Sequence, residues 1–142
     1  MTKANVYLTF DGSCREAFNL YQSVFGGKFN FIGTFAEMPE QEGAPPLSEE
    51  DKKRIMHVSL PLGEGSALMG SDTFPGMTLN RGNDCSVMIH ANTKEKADHF
   101  FKGLSEGGEI EMPMQDTFWG SYFGSFRDRY GIRWMISFGQ ET

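Results

Sequence analysis

Two side chains suited to proton transfer stand fifteen positions apart: His57 in "RIMHVSLP" and Asp72 at the end of "SALMGSD". An imidazole changes charge near neutrality, and a carboxylate within reach would complete an acid–base pair. Strand alternation puts Ile55, His57 and Ser59 on one face and Met56, Val58 and Leu60 on the other. His57 is then either a proton donor or acceptor turned toward a ligand, or a half-buried histidine bonded to a neighbouring strand. Asp72 precedes "TFPG", where an Asx turn is the simpler role and acid–base work the alternative. A second stretch, "QDTFWGSYFGSF" at 115–126, sets rings beside glycines. Trp119 and Tyr122 each join a flat apolar face to a polar tip, so with Gln115 they are the candidates for ligand contact, while Phe123 and Phe126 are assigned to the core. Met69, Met135 and Trp134 would make a soft, adaptable floor, with core packing as the alternative. His90, His99 and Cys14 read as structural, and Arg127, Asp128 and Arg129 as a solvated hairpin tip. Three scattered histidines give no Ser-His-Asp or Cys-His arrangement for nucleophilic hydrolysis.

The 142 residues can bury a core without staples, and the formal charge of −6 gives no footprint for nucleic acid or an anionic membrane surface. No stretch approaches the roughly 20 apolar residues of a membrane span, and "MTKANVYLTFDG" lacks the apolar run of a signal peptide. Cys14 and Cys85 have neither C-x-x-C nor metal-type spacing. A soluble, cytoplasmic protein without membrane or nucleic-acid partners is expected.

The elements that must position these residues recur. In "SCREAFNLYQSVFGG", Ala17, Tyr21 and Val24 have the spacing of a buried helix face, and adding 80 to each number gives Ala97, Phe101 and Leu104 in "TKEKADHFFKGLSEGG". Both segments end in a glycine pair and open with a possible capping box, Ser13 with Glu16 and Asn92 with Glu95. The strand-like runs Asn5–Phe10 and Cys85–His90 precede them at the same shift. Three strand-like runs follow each helix, the first set including a hairpin signal at Gly63-Glu64-Gly65. The chain therefore reads as one α+β domain, 1–142, of two βαβββ modules at about 1–72 and 83–140, with an acidic, proline-containing loop near 37–53.

The segments "YLTFDGSCREAFNLYQSVFGG", "RIMHVSL" with "LMGSD", and "MPMQDTFWGSYFGSFRDRYGIRWMISF" resemble the vicinal oxygen chelate superfamily, the glyoxalase/bleomycin-resistance/dioxygenase fold. Within it they resemble the PhnB-like group, often labelled demethylubiquinone methyltransferases. The resemblance implies that each sheet wraps one side of a cavity with its helix outside. Asn5, Tyr7 and Thr9 would then face the cavity, as would Cys85, Val87 and Ile89 at the 80-residue shift. The superfamily's metal ligands would fall on Asn5, Cys85, Met69 and Met135, a set poorly matched to the hard or borderline ions that superfamily uses, so no metal and no cofactor are expected. "GEGSALMG" is a hairpin and not the strand-to-helix turn of a nucleotide-type cofactor site. The implied function is metal-free binding of a planar or apolar small molecule by a homodimer, through Tyr7, Met69, Gln115, Trp119, Tyr122 and Met135. The alternative is a superfamily enzyme of lyase, isomerase or dioxygenase type that uses His57 and Asp72 or an unrecognised metal site.

Overall fold

A computed structural model describes residues 2–39, 42–63 and 65–139. The chain divides into two compact units, Met1–Asn80 and Arg81–Thr142. The first runs β1 (Val6–Phe10), α1 (Cys14–Phe25), β2 (Phe31–Thr34), a 3-10 turn (Phe35–Glu37), α2 (Glu49–Lys52), β3 (Ile55–Gly63) and β4 (Ser66–Asp72). The second runs β5 (Val87–His90), α3 (Lys94–Ser105), β6 (Glu109–Asp116), β7 (Ser121–Arg127) and β8 (Arg133–Gly139). Each unit holds one four-stranded mixed sheet, ordered β1-β4-β3-β2 or β5-β8-β7-β6, whose first strand is parallel to its last. The paired βαβββ architecture is thus present. No described helix is long and apolar enough to cross a membrane.

One long helix packs on one face of each sheet. From α1, Ala17, Phe18, Tyr21 and Val24 are buried; from α3, Ala97 and Leu104 are buried and Phe101 meets Phe126 edge to face at 5.1 Å. Each helix needs a strand position without a side chain. A Cβ on Gly70 would lie 2.7 Å from the Phe18 ring, and one on Gly124 would lie 2.8 Å from the Phe101 ring. The helix starts differ from the sequence reading. Ser13 makes no side-chain cap bond, and Thr93 rather than Asn92 caps α3, its hydroxyl accepting from the Lys96 N–H at 3.1 Å.

The repeat carries a one-residue offset that reverses an expected face. The helices recur at a shift of 80, but the first strands recur at 81: Val6 pairs with Leu68 as Val87 pairs with Trp134, and Tyr7 with Met69 as Met88 with Met135. Because side chains alternate, one step moves every side chain to the other face. Val87 and Ile89, expected on the ligand side, stand level with buried Trp134 and Ile136 on the α3 side, and Met88 and His90 take the face away from α3. Trp134, expected in a ligand floor, is core because it alternates with its neighbour Met135 onto the α3 side.

The expected solvated tip at Arg127–Arg129 is also corrected. Asp128 is buried and accepts the N–H groups of Tyr130 (2.8 Å) and Ile132 (3.0 Å) and the Trp134 indole N–H (2.8 Å). The loop near 37–53 is partly built: Ser48 caps α2, and Phe35, Met38, Pro46, Leu47 and Phe74 border a hollow of about 790 Å³. Residues 40–41 of that loop and Glu64 of the hairpin signal lie outside the described residues.

Candidate functional site

In the first unit a row crosses all four strands on the face away from α1: Tyr7, Met69, Ser59 and Phe31 are successive register partners. His57 lies on the same face, opposite Gly33. Its ring stacks near Tyr7 with centroids 5.8 Å apart and meets Phe31 at the same distance, so three flat side chains form one continuous surface over Met69. Tyr7 is 51% exposed and Phe31 48%. Such exposure of adjoining aromatic rings makes this face a candidate contact surface. The Tyr7 hydroxyl lies 3.5 Å from His57 Nδ1, the long end of hydrogen-bond range, which gives the apolar row one polar centre. Gly33 permits this arrangement: a Cβ there would lie 2.9 Å from the Phe31 ring and 2.6 Å from the Glu37 carboxylate.

Asp72 does not join His57. It alternates with Leu68 and Gly70 onto the α1 side and is buried. Its Oδ1 accepts the backbone N–H of Gly12 at 2.7 Å and of Cys14 at 3.1 Å, and its Oδ2 accepts that of Ile55 at 2.8 Å. A carboxylate so engaged ties the start of α1 to β3 and lies buried on the face opposite His57, so the acid–base pairing of His57 with Asp72 is corrected to a structural role for Asp72. Burial, reinforced by the Asp72 charge, pushes the Cys14 thiol far above its usual range, which makes it an inert core residue.

In the second unit the face away from α3 carries two rows. Met88, Met135, Ser125 and Met112 are successive partners across β5, β8, β7 and β6, and beside them stand Ser137, Phe123 and Gln115. Trp119, 50% exposed, lies in the β6–β7 turn with its ring edge-on to Phe123 at 6.0 Å. Phe118 at the tip is 97% exposed and packs on Trp119. The structure thus brings Gln115, Trp119 and Met135 to one face and adds Phe123, which had been assigned to the core. Tyr122 goes the other way: its hydroxyl donates to Asp98 of α3 at 2.6 Å, and Lys94 lies over its ring. The bond to Asp98 raises the Tyr122 phenol to about 12, with burial and the charges of Asp98 and Asp116 adding to it. Tyr122 therefore secures α3 to β7 and leaves the ligand set.

Alternation could have found two of the missed residues. Phe123 and Phe126 are three apart in a strand and cannot share a face. Phe31, two positions from Gly33, lay in a run to which no faces had been assigned.

Comparison with known proteins bears on this pair of sheets. Residues 3–136 match the Glyoxalase/Bleomycin resistance protein/Dioxygenase superfamily. The chain belongs to that superfamily. Within it, the chain is 30% identical over 136 residues to Protein YjdN of Escherichia coli (strain K12), covering 92% of this chain and 91% of that one. The crystal structure of protein PA1353 from Pseudomonas aeruginosa is 35% identical, superposes with a TM-score of 0.85, and covers 99% of this chain and all of its own (100%). A PhnB protein from Bacillus cereus shares the fold, with a TM-score of 0.76 at 24% identity and coverage of 97% and 100%.

The superfamily's metal chemistry does not fit these residues. Register sets Tyr7 level with Met69 and Met88 level with Met135, in place of Asn5 and Cys85. Neither set offers the carboxylates and imidazoles that a borderline divalent ion requires. Among the described residues no group of three or more His, Cys, Asp or Glu side chains is placed to hold a metal ion.

Proposed function

We propose that this member of the glyoxalase/bleomycin-resistance superfamily is a metal-free small-molecule binding protein that acts as a homodimer and holds a flat, apolar ligand against the helix-free faces of its sheets. The observation that carries this reading is the row Tyr7–His57–Phe31, three ring faces presented side by side over a methionine. Flat rings and thioethers contribute dispersion and area without demanding one hydrogen-bond pattern, which suits planar guests. Trp119, Phe123, Met135 and Gln115 supply the same chemistry in the second unit.

The test is titration with N-phenyl-1-naphthylamine, a neutral flat fluorophore. The parent protein should give a saturable rise in fluorescence, and Phe31→Ala should weaken it by roughly tenfold, the equivalent of about 1.4 kcal/mol of lost ring contact. Absence of saturable binding, or affinity unchanged by both Phe31→Ala and Trp119→Ala, refutes the reading. A native mass spectrum of the same sample should show twice the chain mass, and a stoichiometric divalent ion in it would count against a metal-free protein.

A further inference from the structure

The second unit, net acidic like the whole protein, carries one local cluster of arginines. The chain is strongly acidic, at −6, yet three guanidinium groups converge at the β7–β8 turn. Arg127 and Arg133 are direct register partners on the face away from α3, two residues along their strands from the Ser125–Met135 pair. Arg127 donates from Nη1 to the Gly131 carbonyl at 3.1 Å, and Arg81 lies against the same glycine, its Nε 3.2 Å from where a Cβ would stand. Like charges directly opposite each other across strands destabilise a sheet unless an anion offsets them. Glu111 is in contact, 3.1 Å from Arg133 Nη2, and Glu109 stands opposite Arg127 on β6. Asp128, next along the chain, is turned into the turn's own N–H groups and the Trp134 indole. Arg133, with 20% of its side chain exposed, has in addition a buried Nε–H that meets no acceptor among the described residues. Its planar fork of donors is therefore incompletely met, beside a face lined with flat and apolar groups.

We infer that the ligand of the second unit's face bears an oxyanion, a carboxylate or sulfonate, that seats on Arg127 and Arg133 while its flat body covers Ser125, Met135 and Phe123. This rests on the proposed use of that face for a planar ligand, and it narrows the ligand to aromatic acids. Guanidinium suits this task because its donors lie in one plane and match the two oxygens of such a group. Glu111 holds Arg133 in place in the free protein and competes with the ligand for it.

The experiment compares two probes with the same ring system, 1-anilinonaphthalene-8-sulfonate and the neutral N-phenyl-1-naphthylamine. The sulfonate should bind about tenfold more tightly at low salt. Arg127→Gln and Arg133→Gln should each remove most of that preference and leave affinity for the neutral probe unchanged. Glu111→Gln, which removes the competing carboxylate, should widen the preference by about threefold and guards against a variant that merely misfolds. Equal affinity for both probes in the parent, or a preference indifferent to all three substitutions, overturns the inference. If the neutral probe does not bind, the planar-ligand reading fails, and the anion site is decided separately by the Arg133 Nε–Hε resonance. A saturable shift on adding sodium naphthalene-1-sulfonate supports the site, and an unmoved resonance refutes it.

Discussion

Asp72→Asn separates a structural carboxylate from a catalytic one. The native side chain accepts three backbone N–H groups, two on Oδ1 and one on Oδ2, and those of Cys14 and Ile55 are buried. Asparagine can retain one oxygen for Gly12 and Cys14, but its amide nitrogen then confronts the Ile55 N–H, donor against donor. A lost hydrogen bond to a charged group costs about 1.5–3 kcal/mol, and a stranded buried donor about 1–3 kcal/mol more, so the variant should lose roughly 3–5 kcal/mol. Asp72→Ala strands all three N–H groups and should lose at least as much, a large share of the roughly 5–15 kcal/mol typical of a whole domain. Urea unfolding followed by far-ultraviolet circular dichroism measures both losses, and amide exchange at Cys14 and Ile55 locates them. A loss under about 1 kcal/mol, the usual range for a surface substitution, with protection at Cys14 and Ile55 unchanged, would refute the structural assignment and return Asp72 to the pool of acid–base candidates.

The two tryptophans should behave oppositely. Trp119 is half exposed and rests on Phe118 and Phe123, so Trp119→Ala removes about 100 Å² of buried area and should cost at most about 2.5 kcal/mol. Trp134 is fully buried and bonded to Asp128, so Trp134→Ala should cost about 3–5 kcal/mol or more. Equal losses in urea unfolding would contradict the faces assigned to them. Tyr122 should titrate near pH 12 by ultraviolet difference absorbance, and Tyr122→Phe should abolish that step. Because its phenol is raised from the ordinary value of 10, what the Asp98 bond contributes is fully present below about pH 10 and is lost as pH rises through about 12. Asp98→Asn should return the titration toward the ordinary value, and an unmoved titration would exclude the Asp98 bond as its cause.

The pattern of faces explains what could be read from the chain and what could not. Helix faces were legible because Ala17, Tyr21 and Val24 span a broad stripe, and a one-residue error in aligning the copies leaves most of that stripe buried. Strand faces have no such tolerance. Matching the modules at 80 placed Val87 and Ile89 beside the ligand, and the true offset of 81 exchanges them for Met88 and His90. The aromatic stretch failed for a related reason: Trp119 and Tyr122 were grouped by chemical suitability, although the turn separates one from the strand that directs the other toward Asp98. Buried carboxylates were illegible on different grounds. Asp72 and Asp128 sit among glycines, serines and arginines that look like surface turns, and their partners are backbone N–H groups, which no residue type announces.

Those two carboxylates share a placement on the helix side of their sheets. Asp72 fixes the start of α1 to β3, and Asp128 fixes the β7–β8 turn and the indole beneath it. On the opposite faces the acids are exposed ones: Glu37 reaches Gly33 beside Phe31 in the first unit, and Glu111 and Glu109 meet the arginine pair in the second. The two buried carboxylates add little repulsion of their own to an anion on those opposite faces, because their charges are committed to N–H donors behind the sheets.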